Sequence, residues 1–296
     1  MILYIIYIDI GVIIIRLMNF IYILYKYMSF SIQKINGNLI FKDFGGYETR
    51  NSSTFWCIKK ADEIYNFNDF KEIKIYTEDM EINSYDYNYS KQNNYNNLVP
   101  DFNFHSWPQV GVNDYEICVN EIDIIGLNNY EIHKVGWIGN TNTNPNRKQL
   151  LKIGNNNKEL FDIFDMAWYP SDNVLLNSSK YLSMPELVKK YSILIDIEGC
   201  GYSGRLKYFL FSHRPVLLVD RPHKEYFFEF LKEWEHYIPV KRDLSDLIEK
   251  TKWCFDNYNK ALEIAENAYQ FSKIHLTRDA CYNKWYQCIK ENIISN

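Results

Sequence analysis

The stretch EGCGYSGRLKYFLFSHRPVLLVD, residues 198–220, carries the spacing G-x-G-x-x-G at Gly199, Gly201 and Gly204. A glycine turn between a strand and a helix lets backbone N–H groups converge, and the helix dipole favours negative charge there. The chemistry this suits is capture of a diphosphate. An apolar run, Ile193–Ile197, precedes the turn, and the next apolar run ends in Asp220, where a dinucleotide fold places its ribose-binding carboxylate. Such a fold needs further strands beyond that acid, and YIPV at 237–240 is the one convincing candidate. Arg221 and Lys224 also stand ready to pair with Asp220 locally. A nicotinamide- or flavin-dependent oxidoreductase therefore stays open as one reading, starved of chain.

Other residues widen the chemistry. Arg205 falls in the first turn of a helix expected over 204–212, and Arg147 follows a turn at the start of another, from about Pro145. A cation at a helix N-terminus is disfavoured by about 0.3–1 kcal/mol, so a bound anion would account for both. Ser203 either caps its helix or offers a hydroxyl to phosphate. Group transfer from a diphosphate also needs a base for the incoming hydroxyl. Asp79, which closes the expected strand KEIKIYTED, and Asp86 in NSYDYN are carboxylates that could serve, or strand-end acids in a turn. Phe104, His105 and Trp107, just before a proline, form either an acceptor platform or core. His236 reads as a packed histidine, and His213 and His223 flank loops. No D-x-D occurs anywhere, the acidic pair with which sugar-nucleotide enzymes hold manganese, so no metal site is expected.

Bulk properties set limits. With 296 residues, 47% hydrophobic and 24% charged, the chain has ordinary globular composition and room for two domains. A net charge of -4 argues against a nucleic-acid binder that works by neutralising phosphates. Aromatics reach 17%, including 25 Tyr, but AT-rich codons would produce the same bias. Six Cys, at 57, 118, 200, 254, 281 and 288, are scattered without a C-x-x-C. Residues 1–28 are strongly apolar, yet Asp9 and Arg16 interrupt them. They read either as a signal anchor, which implies an ER- or Golgi-type membrane location, or as sequence upstream of a true start at Met18 or Met28, which implies a cytoplasmic protein.

The elements that must position these residues follow from periodicity. FSIQKINGNLIFKD alternates about Asn36-Gly37, a hairpin signature. STFWCIKKADEIYNF has helical spacing, KEIKIYTED reads as a strand, and 83–100 as a polar loop. EIHKVGWIG, SILIDI, PVLLV and YIPV are further strands, separated by helices from Pro145, in MPELVKKY, over 204–212 and near 223–233. From Leu244 onward the pattern is nearly all helical. Alternating strands and helices imply an α/β fold with a mostly parallel sheet.

YSILIDIEGCGYSGRLKYFLFSHRPVLLVD followed by EFLKEWEHYIPVKRDLSDLIEKTKW resembles the donor half of glycosyltransferase family 90. GWIGNTNTNPNRKQLL is similar to the family's aromatic-x-Gly-Ser…Arg segment, with Asn140 in the place of the serine and a loop one residue longer. VPDFNFHSWPQVGVNDY is similar to its aromatic acceptor loop, and KINGNLIFKD to its N-terminal hairpin. The resemblance spans about residues 31–290. It implies two Rossmann-like domains of GT-B type with a helical C-terminus: an acceptor side at 29–130, a donor side at 131–278, and a last helix, 279–296, packing back on the first domain. It further implies a metal-independent, inverting transfer of glucose or xylose from a UDP-sugar to a hydroxyl of a protein or glycan. Asp79 would be the base, Asn140, Arg147, Gly199, Gly201, Ser203 and Arg205 would bind the donor, and Phe104 and Trp107 would face the acceptor. The UDP-sugar would be a co-substrate, with no cofactor, no nucleic-acid partner, and a membrane only if 1–28 is an anchor. A catalytically inactive relative that binds a glycan or a partner protein is the remaining alternative.

Overall fold

The computed structural model describes residues 29–92, 94–166 and 181–293. The apolar segment 1–28 and residues 167–180, which follow FDIFDM, lie outside the described residues.

The N-terminal part opens with a hairpin of β1 (Ser29–Ile35) and β2 (Asn38–Asp43). Asn36 and Gly37 turn it with φ of 50° and 76°, the two positive values that a two-residue hairpin loop requires. Helix α1 (Glu48–Tyr65) then leads to β3 (Phe70–Tyr76), and β4 (Tyr87–Asn88) completes a sheet of order β2-β1-β3-β4. β1 runs antiparallel to both neighbours, and only β3 and β4 are parallel. The Rossmann-like N-terminal sheet implied by the resemblance is not what these strands build. A strand joined to the next by a two-residue turn must pair antiparallel to it.

The C-terminal part is the α/β layer that the alternation predicts. Its strands are β6 (Ile132–Gly139), β7 (Phe161–Asp165), β8 (Tyr191–Asp196), β9 (Val216–Val219) and β11 (Ile238–Val240), all parallel. Every residue of β8 and β9 is buried, as expected of central strands covered on both faces. Helix α2 (Tyr115–Gly126) precedes this layer, with Asp114 accepting from Ile117 N at its start. Within it, α3 (Pro145–Asn156) starts on an Asn144 cap, and α4 (Met184–Lys190) on a Ser183/Glu186 capping box. The helix after the glycine turn, α5 (Leu206–Phe209), is much shorter than expected. No helix forms over 223–233. His223–Glu225 is a strand, β10, captured by β5 (Ser90–Gln92) from the N-terminal part, and a 3-10 turn follows at Tyr226–Glu229. That pairing ties the two parts together.

Three helices finish the chain: α6 (Leu247–Asp256), α7 (Tyr258–His275) and α8 (Arg278–Lys290). α8 lies against α1, where Tyr286 stacks on Tyr65 at 4.8 Å, and Tyr87 Oη donates to the Cys288 carbonyl at 2.7 Å. Arg278 fastens its start by pairing with Asp114 at 2.7 Å and Glu116 at 3.0 Å, and donates Nε to the Phe104 carbonyl. No described helix is long and apolar enough to cross a membrane.

Candidate active site

In the parallel sheet the order is β7-β6-β8-β9-β11, so the direction of winding reverses between β6 and β8. A crevice opens at such a switch point, outside the carboxyl ends of the strands. Gly139 and Asn140 leave β6 there, and Ile197, Glu198 and the glycine turn leave β8. A cleft of about 420 Å³ occupies the crevice and is closed on its far side by residues of the N-terminal part.

Arg147 spans the switch point from the first turn of α3. It donates Nε to the Glu198 carbonyl at 2.8 Å, Nη2 to that of Ile197 at 3.1 Å, and Nη1 to that of Asn140 at 3.2 Å. Arg205 reaches the same wall from the start of α5 and donates to the Ile138 carbonyl. Both guanidiniums lie 5.4 Å from the ring of Trp137. Neither has a carboxylate partner among the described residues. Asp196, whose charge acts on both, is already engaged by Arg221 and by Ser203 Oγ at 2.7 Å. Burial and then the Arg205 charge push the Arg147 guanidinium down to about 9, and burial also lowers that of Arg205. Two buried, unneutralised cations at strand ends form a site for an anion.

The facing wall carries Asp79, three residues beyond β3. Its Oδ1 lies 3.0 Å from Arg50 Nη1, and the same nitrogen lies 3.2 Å from Glu78 Oε2 and donates to the Thr77 carbonyl at 3.1 Å. Burial raises the Glu78 carboxyl to about 7 against the pull of Arg50. Tyr47, Phe102, Trp107 and Tyr181 add the aromatic lining.

The structure thus gathers Asp79, Asn140, Arg147, Gly199, Ser203, Arg205 and Trp107 around one cleft. Two expectations need correction. Phe104 is fully buried, packed on Tyr115 at 5.0 Å and under Lys207. In the turn Phe102–Phe104 it is Phe102 that faces the cleft. Gly201 does not line the cleft either. A Cβ there would sit 1.8 Å from the Asp79 carbonyl oxygen, so its backbone is pressed against the opposite wall. Gly204 is similar, with Asn103 Nδ2 2.4 Å from a notional Cβ. Two of the three glycines therefore serve close approach between the two parts of the chain, which explains the G-x-G-x-x-G without a dinucleotide. Ser203 is not a cap. Its hydroxyl is spent on Asp196, and Arg205 occupies the cap position.

Asp86 is exposed and accepts from the Lys74 backbone at 2.7 Å, away from the cleft. Asp220 pairs with Lys224 at 2.8 Å on the surface, and Arg221 turns inward to Asp196. His105 stacks on Trp56 at 4.1 Å, and burial lowers its pKa. His236 packs on Phe271 at 4.9 Å. All six cysteines are free, and Cys200 alone of them is exposed, at the cleft. Among the described residues no three of His, Cys, Asp and Glu gather as a metal site. Sequence reasoning missed Arg50 and Glu78. Arg50 sits in the first turn of α1, the same unfavourable place for a cation that drew notice to Arg147.

The chain is similar to protein O-glucosyltransferase 3 of Homo sapiens, with 29% identity over 147 residues, 49% of this chain and 29% of that protein. It is 31% identical over 163 residues to protein O-glucosyltransferase 2 of Danio rerio, covering 53% and 32% of the two chains. Uncharacterized protein 035R of Invertebrate iridescent virus 3 is 31% identical over 163 residues, 49% of this chain and 14% of that one. The matched stretch is thus a third or less of each of these relatives. The family model described as glycosyl transferase family 90 matches residues 66–292, which takes in the cleft from Asp79 to Arg205, and the chain belongs to that family.

Proposed function

We propose that the chain transfers a glycosyl group, glucose or xylose, from a UDP-sugar to a hydroxyl of a protein or glycan, with inversion at the sugar carbon. The observation that carries this reading is the pair of unneutralised guanidiniums, Arg147 and Arg205, facing the carboxylate Asp79 across one cleft. The names of the relatives from human and zebrafish support glucose and a protein acceptor.

Asp79 accepts the proton of the acceptor hydroxyl. The acceptor oxygen forms a bond to the anomeric carbon from the face opposite the diphosphate, and the bond from that carbon to phosphate oxygen breaks. UDP leaves with its negative charge against Arg147, Arg205 and the N–H groups of the turn at Gly199. Stabilising a developing oxyanion with preorganised donors is commonly the largest catalytic contribution. With cations in this role and no D-x-D in the sequence, turnover persists in EDTA. Loss of turnover in chelator, restored by manganese, overturns the metal-free part.

The test is a panel of sugar nucleotides against protein and glycan acceptors, read by UDP release. Release from UDP-glucose or UDP-xylose that depends on acceptor supports the assignment. Tight UDP binding with no release across the panel favours the inactive glycan- or partner-binding relative. Binding of NAD(P) or flavin in place of UDP would revive the oxidoreductase.

A further inference from the structure

Arg50 belongs to α1, outside the stretch that the family model matches, yet it lies on the wall of the cleft. Its guanidinium is held on several sides. Tyr47 and Phe102 lie 5.0 Å and 5.2 Å from its Cζ, and Nη1 donates to the Thr77 carbonyl at 3.1 Å. The side chain of Arg50 is 18% exposed and that of Asp79 31% exposed, so the pair is partly shielded from water. The ion pair engages Asp79 through Oδ1.

We infer that Arg50 is the positioning residue for the cleft carboxylate, holding Asp79 through one oxygen while the other oxygen takes the acceptor's proton. This rests on the reading of Asp79 as the base. A carboxylate on a loop three residues past its strand has no fixed direction of its own, and a stacked, planar guanidinium supplies one. The other groups facing Asp79 are Glu78 beside it, and Cys200 and Tyr202 on the glycine turn; Tyr89, near Arg50, is buried and stays a neutral phenol. Cysteine and tyrosine both stand above their ordinary values through burial, which leaves Glu78 as the neighbour that titrates near neutrality.

The test is the kcat, the acceptor KM and the UDP affinity of Arg50→Gln and Arg50→Lys, each alone and with Glu78→Gln, beside Asp79→Asn. Arg50→Gln is expected to lower kcat by about 10- to 100-fold, as misplacement of a reacting group does. The acceptor KM changes little, so the loss falls on kcat. UDP affinity stays as in wild type, which also reports that the variant is folded. Arg50→Lys recovers only part of the rate, because it returns the charge without the planar guanidinium. The loss in kcat persists in the Glu78→Gln background.

An inactive Asp79→Asn together with an Arg50→Gln of wild-type rate overturns the clamp and leaves the base assignment standing. A fully active Asp79→Asn overturns both. If Arg50→Gln does not fold, Arg50→Lys decides, since a purely structural arginine predicts wild-type kcat in every Arg50 variant that folds and binds UDP.

Discussion

The two walls of the cleft are made of different material. The wall that carries Arg147 and Arg205 is mostly backbone: strand ends, carbonyl oxygens and a turn, placed where the parallel sheet reverses direction. The opposite wall is mostly side chain: Tyr47 and Arg50 from the start of α1, Asp79 from the loop after β3, Phe102 and Trp107 from a 3-10 turn. Topology fixes the first wall, because any chain wound this way brings those carbonyls and N–H groups together. Packing, ion pairs and hydrogen bonds between separate elements fix the second, since its residues meet only through tertiary contact. The first should therefore lose ligand when a charge is removed, and the second should lose chemistry when a group is displaced.

The largest effect expected from this contrast is at Asp79. Asp79→Asn keeps the shape of the side chain and removes the proton acceptor, and loss of a general base typically costs about 10²–10⁴-fold in kcat. UDP binding, read by thermal shift or titration, stays near wild type, because the proposed diphosphate site lies on the other wall. Asp86→Asn, exposed and tied to the Lys74 backbone, keeps full activity. Normal turnover by Asp79→Asn would show that the packed wall does no proton chemistry.

The reverse pattern is expected across the cleft. A hydrogen bond to a charged group contributes about 1.5–3 kcal/mol, so Arg205→Ala should weaken UDP binding by about 10- to 100-fold. Arg147→Ala does the same and also lowers Tm by the wider margin, since Arg147 satisfies three backbone carbonyls and Arg205 one. Unchanged UDP affinity in folded Arg147→Ala and Arg205→Ala would remove the anion role and leave both arginines as struts.

The same contrast explains what could be read in the sequence. Residues of the donor wall announce themselves locally: glycines between a strand and a helix, a serine, a cation at a helix start. Each lies a few residues from the element that positions it, and Asn140, Arg147, Gly199, Ser203 and Arg205 all line the cleft. The facing wall needs tertiary contact to exist. Nothing in FNFHSWP says which aromatic turns outward, and the tight turn at Phe102–Phe104 sends Phe102 to the cleft and Phe104 to the core. Elements show the same limit. The hairpin at Asn36-Gly37 and the capped helices α3 and α4 follow from local chemistry. The segment near 223–233 reads as a helix in the alternating series, and pairing with β5, far away in sequence, makes its first residues a strand instead. Arg50 is the instructive omission. It shows the same cation-at-helix-start anomaly as Arg147, but with no glycine turn beside it the anomaly points nowhere.

The smallest effects come from two glycines of one turn, and they separate the walls most finely. Gly201 touches the packed wall: an added Cβ would lie 1.8 Å from the Asp79 carbonyl oxygen, so the turn and the loop after β3 must move apart. Forcing extra volume into a closed contact costs about 1–3 kcal/mol, and the part that moves carries Asp79. Gly201→Ala should therefore lower Tm and kcat together while leaving UDP affinity little changed. Gly199 has room, since the nearest atom to its added Cβ is Arg147 Nη2 at 3.5 Å, an ordinary contact. Gly199→Ala should melt like wild type. Its methyl group would nevertheless stand against the guanidinium proposed to receive the diphosphate, so UDP binding is expected to weaken modestly while kcat is unmoved. Equal behaviour of the two variants would contradict the division of labour between the walls. A Gly201→Ala that weakens UDP binding at wild-type stability would return that glycine to the donor site, because its backbone would then be meeting phosphate and not the Asp79 carbonyl.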